Sequence, residues 1–176
     1  MDENRKKIGD SMSKKSQSYV TTCLFAVYLL ILLWVIVFKL HFSLLDIPYY
    51  RSVNLIPLQG SAYGKLSAEV LNNVYIFIPF GLYLSMLKGN GAFLQKVLTV
   101  ATVSAVFESV QYLLAIGASD ITDIMANTLG GIIGIVIYAV CRFLFKSKTN
   151  RLLNIVATVV TVGLFLLFGL LLLLNK

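Results

Sequence analysis

The chain has 176 residues, of which 58% are hydrophobic and only 13% are charged. Its mean hydropathy of +0.84 excludes an ordinary soluble domain and is typical of an integral membrane protein. The net charge of +7 follows from basic residues near the ends of apolar runs. This placement suits anionic lipid head groups, so nucleic acid is not an expected partner.

Five apolar runs of about 20 residues are each long enough to cross the hydrocarbon core as a helix. They cover residues 19–38, 70–87, 97–116, 121–141 and 152–174. The sequence therefore predicts an all-α, polytopic membrane bundle of about five transmembrane helices. Residues 1–18 are polar and basic and predict a disordered cytoplasmic tail, residues 19–151 the main membrane domain, and residues 152–176 an additional C-terminal transmembrane helix.

The basic residues predict the orientation, because Lys and Arg near the ends of spans resist translocation. An N-terminus in the cytoplasm leaves only Lys39, Arg51, Lys65 and Lys176 outside. The cytoplasmic set is then larger: Arg5, Lys6, Lys7, Lys14, Lys15, Lys88, Lys96, Arg142, Lys146, Lys148 and Arg151. We expect a multi-pass protein of the cell membrane with its N-terminus inside and its C-terminus outside.

The third run carries the most informative polar residues, Glu108 and Gln111. A carboxylate near the middle of a membrane helix costs about 2.5–3.5 kcal/mol on insertion scales, so it needs a partner or a function. Ser104, Glu108 and Gln111 are three and four residues apart and share one helix face. From the helical rise, Gln111 lies roughly 7 Å and Glu108 roughly 12 Å inside the outer end of the run.

The fourth run follows after a short connection, so its polar residues should lie beside those of the third. Ser119 or Asp120 is a natural helix cap, and Asp123 falls in the first turn, where helix N–H groups favour a carboxylate. Capping explains one of these aspartates without any site. Asn127 shares a face with Asp123, and we expect it at about the depth of Gln111. The glycines one turn deeper are expected at the depth of Glu108.

Further polar residues fall in the same outer half. Asn54 belongs to a turn-like string in the outer loop, residues 39–67, that we interpret as a lid over the outer mouth. Asn72 and Asn73 lie at the outer end of the second run. Pro79 cannot donate to the carbonyl of Tyr75, which leaves either a plain kink or a free acceptor. The whole group either forms a site or satisfies its own hydrogen bonds between helices.

The sequence gives little support for a metal site or for a dimer interface. His41 is the only histidine, and no Cys or His cluster accompanies it, so no metal site is predicted. Ala126, Gly130 and Gly134 form a stripe of small residues that permits close helix packing and would also allow a homodimer.

Four motifs occur in fixed order along the chain: Asn54-Leu-Ile-Pro57-Leu; Asn72-Asn73 followed by Phe77-Ile-Pro79-Phe-Gly81; Phe107-Glu108-x-x-Gln111; and Gly117-Ala-Ser-Asp120-Ile-Thr-Asp123-x-x-x-Asn127-Thr-Leu-Gly130-Gly131. In this order they resemble the VanZ-like membrane family over residues 19–151. Many members have an arginine shortly before the aspartate pair. This chain has Gly117-Ala118-Ser119 there, so any such role falls to Arg51 or is absent.

The resemblance implies a membrane protein of a Gram-positive bacterium that gives low-level resistance to teicoplanin with little effect on vancomycin. Both drugs bind D-Ala-D-Ala, but teicoplanin also carries a fatty acyl chain. Selectivity therefore favours reduced teicoplanin accumulation at the outer leaflet over remodelling of the shared target. Membrane lipids are the expected partners, together with a lipid-linked cell-wall precursor or teicoplanin itself. No cofactor is expected.

Three mechanistic classes remain open. A membrane enzyme with no direct role in resistance would use Glu108 as general acid or base and Asp123 to orient a lipid-linked substrate. A binding protein would use the same groups, together with Asn54, Asn72, Asn73, Gln111, Asp120 and Asn127, to hold a polar head. A transporter ranks last, because the runs show no obvious inverted repeat.

Overall fold

The computed structural model describes residues 2–37, 50–57, 68–89 and 91–174. In chain order, the elements are α1 (Asp2–Val37), β1 (Tyr50–Asn54), α2 (Ala68–Lys88), α3 (Phe93–Leu114), β2 (Ile116–Asp120), α4 (Ile121–Phe145), a 3-10 turn (Lys146–Lys148) and α5 (Thr149–Leu174). The all-α prediction is confirmed, apart from a short two-stranded sheet that the apolar runs do not predict. The prediction of a disordered N-terminal tail is wrong, because α1 is helical from Asp2.

Within the described residues, four helical segments are long and apolar enough to cross a membrane: Lys15–Ile36, Ala68–Lys88, Phe93–Leu114 and Ile121–Leu174. The last has 54 residues and combines α4 and α5, which only the 3-10 turn separates. At about 1.5 Å per residue, α4 and α5 are each long enough for one crossing of a core about 30 Å thick. The number of crossings and the orientation of the chain stay predictions.

The chain divides into two compact units. One contains Met1–Val27 and Cys141–Lys176, and the other contains Tyr28–Val140. In the first unit, α1 and α5 share a buried group of polar side chains, the Asn154 cluster, formed by Gln17, Thr21 and Asn154. The Asn154 amide donates to the backbone oxygen of Gln17 (3.1 Å) and to its Oε1 (3.0 Å), and it accepts from Thr21 Oγ1 (3.0 Å).

The second unit is held together by close packing of α2 on α4. A Cβ on Gly130 would overlap the carbonyl oxygen of Val74, and one on Gly134 would overlap that of Ile78. Small residues allow such backbone approach in a membrane, where no hydrophobic effect drives helices together. These two glycines therefore pack inside the chain; the homodimer stays a prediction.

The strands β1 and β2 pair in parallel, with Asn54 opposite Asp120. The pairing joins the segment before α2 to the connection between α3 and α4. Ala115 ends α3 in a left-handed conformation (φ 57°), which turns the chain at the helix end. The chain then continues as the extended strand β2 up to the first residue of α4.

Candidate functional site

The polar residues gather where α1 and α3 end, where α2 and α4 begin and where the two strands lie, a region we call the sheet end of the second unit. A cavity of about 460 Å³ lies there. Four helices contribute its lining, which combines carboxylates, amides and apolar side chains: Val35, Ile36, Glu69, Asn72, Asn73, Tyr75, Ile76, Glu108, Gln111 and Asp123.

The polar stripe predicted on α3 is buried in the interior of the unit. Ser104 is fully buried, and Glu108 and Gln111 are only 3% and 4% exposed. Glu108 and Gln111 both line the cavity. The Gln111 amide donates to the carbonyl oxygen of Ile36 at 2.9 Å, so α3 is fastened to the last turn of α1 at this level.

Glu108 is held in place by the start of α4. Its Oε2 accepts a hydrogen bond of 3.0 Å from the backbone N–H of Asp120. The Asp120 side chain in turn caps α4, because its Oδ1 accepts from the backbone N–H of Thr122 at 2.7 Å. Asn54 donates to Asp120 Oδ2 at 3.0 Å, which is the side-chain counterpart of the strand pairing. A hydrogen-bonded chain therefore runs from β1 through Asp120 to Glu108.

Asp123 joins the cavity from the first turn of α4. Its Oδ1 accepts a short hydrogen bond of 2.6 Å from Asn73 on α2. Asn72, next to Asn73, is exposed and also lines the cavity. Glu108 lies within electrostatic range of both Asp120 and Asp123, so three carboxylates share this small region.

Asn127 lies deeper than the sequence analysis predicts, and that prediction is wrong. Its amide donates to Ser104 at 2.9 Å, and Ser104 is two turns before Gln111 on α3. The glycines are also deeper than Glu108, because a Cβ on Gly131 would contact Val100. The cause is the turn at Ala115 and the extended strand after it, which place Asp120 level with Glu108 instead of beyond the end of α3.

The predicted site residues therefore divide into two groups. Asn72, Asn73, Glu108, Gln111 and Asp123 line the cavity. Asn54, Asp120 and Asn127 do not line the cavity. Asn54 binds Asp120, whose backbone N–H binds Glu108, and Asn127 binds Ser104. The backbone of Arg51 belongs to β1, but its side chain lies outside the described part of the structure.

Five lining residues are missed by the sequence analysis: Glu69, Tyr75 and the apolar Val35, Ile36 and Ile76. Glu69 precedes Asn72 and Asn73 by three and four residues, so helical spacing alone would have placed it on their face. Tyr75 carries no such signal, since aromatic residues are common at many positions of a membrane helix. The described residues include no group of three or more His, Cys, Asp or Glu side chains placed to hold a metal ion. His41 lies outside the described residues.

Comparison with known proteins points to one family. Residues 25–143 match the model of the VanZ/LLP1 family. A relative from Enterococcus faecium called Protein VanZ is 39% identical over 147 residues, which cover 82% of this chain and 86% of the relative. No solved structure matches the chain.

Proposed function

We propose, since this chain belongs to the VanZ/LLP1 family, that it confers low-level teicoplanin resistance in a Gram-positive cell membrane. In this proposal the sheet end faces the outer leaflet, and the cavity there binds a polar head group. Occupation of the cavity then reduces the amount of teicoplanin that accumulates at the membrane. The observation that carries the proposal is the cavity itself, whose lining includes the buried side chains of Glu108 and Gln111.

The burial of Glu108 supports a role beyond packing. A carboxylate in a membrane helix is costly, and such residues are characteristically found beside substrate or ion pathways. Glu108 is only 3% exposed, yet it lines a cavity large enough for an organic head group. Mutual satisfaction of polar groups would need no cavity, so the open volume favours ligand binding over a purely structural role.

The distribution of the lining residues also supports a ligand that enters from the membrane surface. Asn72 and Glu69 are exposed near the start of α2, whereas Glu108 and Gln111 are buried. A head group could therefore enter past the exposed residues and reach the buried ones. The apolar residues Val35, Ile36 and Ile76 would contact the adjoining chain of an amphiphile.

The test is the inhibitory concentration of teicoplanin and of vancomycin for a susceptible Gram-positive host that expresses the wild type, Glu108→Gln or Asp123→Asn. We expect the wild type to protect against teicoplanin alone and both variants to lose most of that protection. Membrane levels are matched by quantitative blotting. Ser109→Ala is the matched control, because Ser109 is exposed on the same helix and bonds only its own helix backbone, at Ala105.

A wild-type protein that gives no protection would contradict the proposal for this chain. If both variants still protect against teicoplanin, the resistance does not depend on the cavity.

A second function, enzymatic action on a lipid-linked envelope component, is favoured by one specific contact. The Asp120 N–H fixes one oxygen of Glu108 while the same carboxyl group lines the cavity, which is the arrangement of a positioned general acid or base. Glu108→Gln and Asp123→Asn together distinguish the two functions, because Glu108→Gln abolishes proton transfer while keeping the shape of the side chain, whereas Asp123→Asn leaves the proton-transfer group in place. If Glu108→Gln loses protection while Asp123→Asn keeps it, the enzymatic reading gains support over binding.

A further inference from the structure

The charge of the cavity lining restricts what the cavity can bind. Glu69, Glu108 and Asp123 contribute three carboxyl groups from three different helices. Among the described residues that line the cavity, none is a lysine, an arginine or a histidine. A phosphate or carboxylate ligand would bring further negative charge next to these groups, and the repulsion is stronger in a low dielectric than in water.

The other lining residues argue for an organic cation over a metal ion. The cavity of about 460 Å³ is far larger than a single ion, and the described residues form no cluster suited to a metal. Tyr75 adds an aromatic ring, and Ile36 and Ile76 add apolar surface. Carboxylates combined with an aromatic ring are a usual environment for ammonium groups, which interact with both.

The position of Glu108 adds a separate geometric argument. Its Oε2 is fixed by a neutral donor, the Asp120 N–H, and the Asp123 Oδ1 is fixed by another, the Asn73 amide. These bonds orient the two carboxyl groups without contributing any positive charge. A pair oriented in this way is preorganised for a positively charged donor that approaches through the cavity.

We propose that the cavity binds the primary ammonium group of an amphiphile, with Glu108 and Asp123 as its acceptors and Tyr75 and Ile76 beside it. This inference rests on the proposed function and specifies the ligand of the same site. Two sources supply such a group at an outer leaflet: an aminolipid head group, or an amine of the lipoglycopeptide drug. The shared chemistry is a single ammonium group next to an apolar chain.

The single tryptophan of the chain provides a reporter that is next in sequence to the cavity lining. Trp34 immediately precedes Val35 and Ile36, which line the cavity. Its fluorescence can be followed in the full-length protein in detergent during titration with short-chain phosphatidylethanolamine, its N-acetylated form and phosphatidic acid. A second arm uses teicoplanin and N-acetylated teicoplanin. We expect the amine form to bind at least tenfold more tightly than the acetylated form in one arm or both, and phosphatidic acid to give no saturable change.

The variants make the assignment specific. Glu108→Gln and Asp123→Asn should each weaken amine binding at least tenfold, whereas Ser109→Ala should leave it unchanged. Thermal unfolding in the same detergent identifies any variant that fails to fold, and either one of the two suffices for the test. A response in the lipid arm alone identifies an aminolipid, and a response in the drug arm alone identifies teicoplanin.

Equal binding of amine and acetylated forms, or saturable binding of neither, would overturn the inference. If the amine form binds no more tightly than the acetylated form, but wild type protects against teicoplanin and Glu108→Gln does not, the proposed function stands while the ammonium assignment fails. If wild type gives no protection but the amine form binds selectively, the ammonium assignment stands while the proposed function fails.

Discussion

The Asn154 cluster and the sheet end both bury polar side chains of apolar helices, but they do so in different ways. In the Asn154 cluster, the amide of Asn154 uses its nitrogen and its oxygen in bonds to Gln17 and Thr21, and every member is neutral. At the sheet end, carboxyl groups from several helices approach one another around an open cavity. The first pattern locks helices together, and the second pattern is suited to hold a ligand.

The asparagines of α4 and α5 show this difference most directly. Asn154 is 3% exposed and satisfies both ends of its amide. Asn127 is 1% exposed and donates to Ser104, but its Oδ1 has no hydrogen-bond partner in the described structure. Two asparagines with nearly equal burial therefore differ in how completely their amide groups are hydrogen-bonded.

The largest effect on stability is expected from Asn154→Leu. The change removes the bonds that Asn154 makes to Thr21 and to Gln17, although Thr21 keeps its bond to the backbone oxygen of Gln17, and it should lower the free energy of unfolding by about 2 kcal/mol. Teicoplanin protection per folded molecule should stay unchanged. Thermal unfolding in detergent and inhibitory concentrations at matched levels measure the two quantities.

Val159→Leu is the control for Asn154→Leu, because Val159 is 67% exposed on the same helix. A loss of protection by Asn154→Leu at equal amounts of folded protein would erase the distinction between the two clusters.

An intermediate effect on stability is expected from Asp120→Ala, which should change both the stability of the fold and the protection against teicoplanin. It removes the cap of α4 and the bond to Asn54, and it should cost about 1 kcal/mol of unfolding free energy. Protection should fall as well, because the Asp120 side chain caps the start of α4, where the backbone N–H of the same residue holds Glu108. The same unfolding and inhibition assays apply.

Asp120→Asn is the matched comparison, since asparagine is an equally good helix cap. We expect it to restore the capping part of the stability but not the bond from Asn54, because an amide nitrogen in place of Oδ2 cannot accept from Asn54 Nδ2. An Asp120→Asn variant that protects like wild type would assign Asp120 to positioning alone, whereas one as unstable as Asp120→Ala would contradict the capping role.

The smallest effect on stability is expected from Asn127→Leu. The change loses one hydrogen bond to Ser104 but also removes a buried oxygen without a partner, so the net cost should be about 0.5 kcal/mol. Chemical denaturation in detergent resolves the difference from Asn154→Leu. A cost as large as that of Asn154→Leu would show that Asn127 is also part of a fully satisfied structural group.

Local sequence patterns predict much of this architecture. Apolar runs locate the helices, and the three-and-four spacing of Ser104, Glu108 and Gln111 predicts the buried stripe on α3. The proximity of Glu108 on α3 and Asp123 on α4 also follows, because a short connection makes these two helices neighbours. These features depend on residues that are close in sequence or on helices that a short connection joins.

The sheet and the depth of α4 could not be predicted in the same way. The β2 residues Ile116-Gly-Ala-Ser-Asp120 are mostly poor strand formers, and their partner strand lies more than sixty residues earlier. No local pattern records such a distant pairing. A prediction that lacks the strand places the start of α4 at the wrong depth along α3. It therefore puts Asn127 beside Gln111, whereas the structure has it beside Ser104.

The strand β2 also has a consequence for how the chain tolerates changes in length. Surface connections usually accept insertions, but β2 sets both the height and the rotation of α4. One added or deleted residue that propagated into α4 would turn it by about 100° and shift it by about 1.5 Å. Asp123 would then leave Asn73, and Gly130 would leave the backbone of Val74. A single-codon insertion between Leu114 and Ile121 should be less tolerated than most substitutions in the helices.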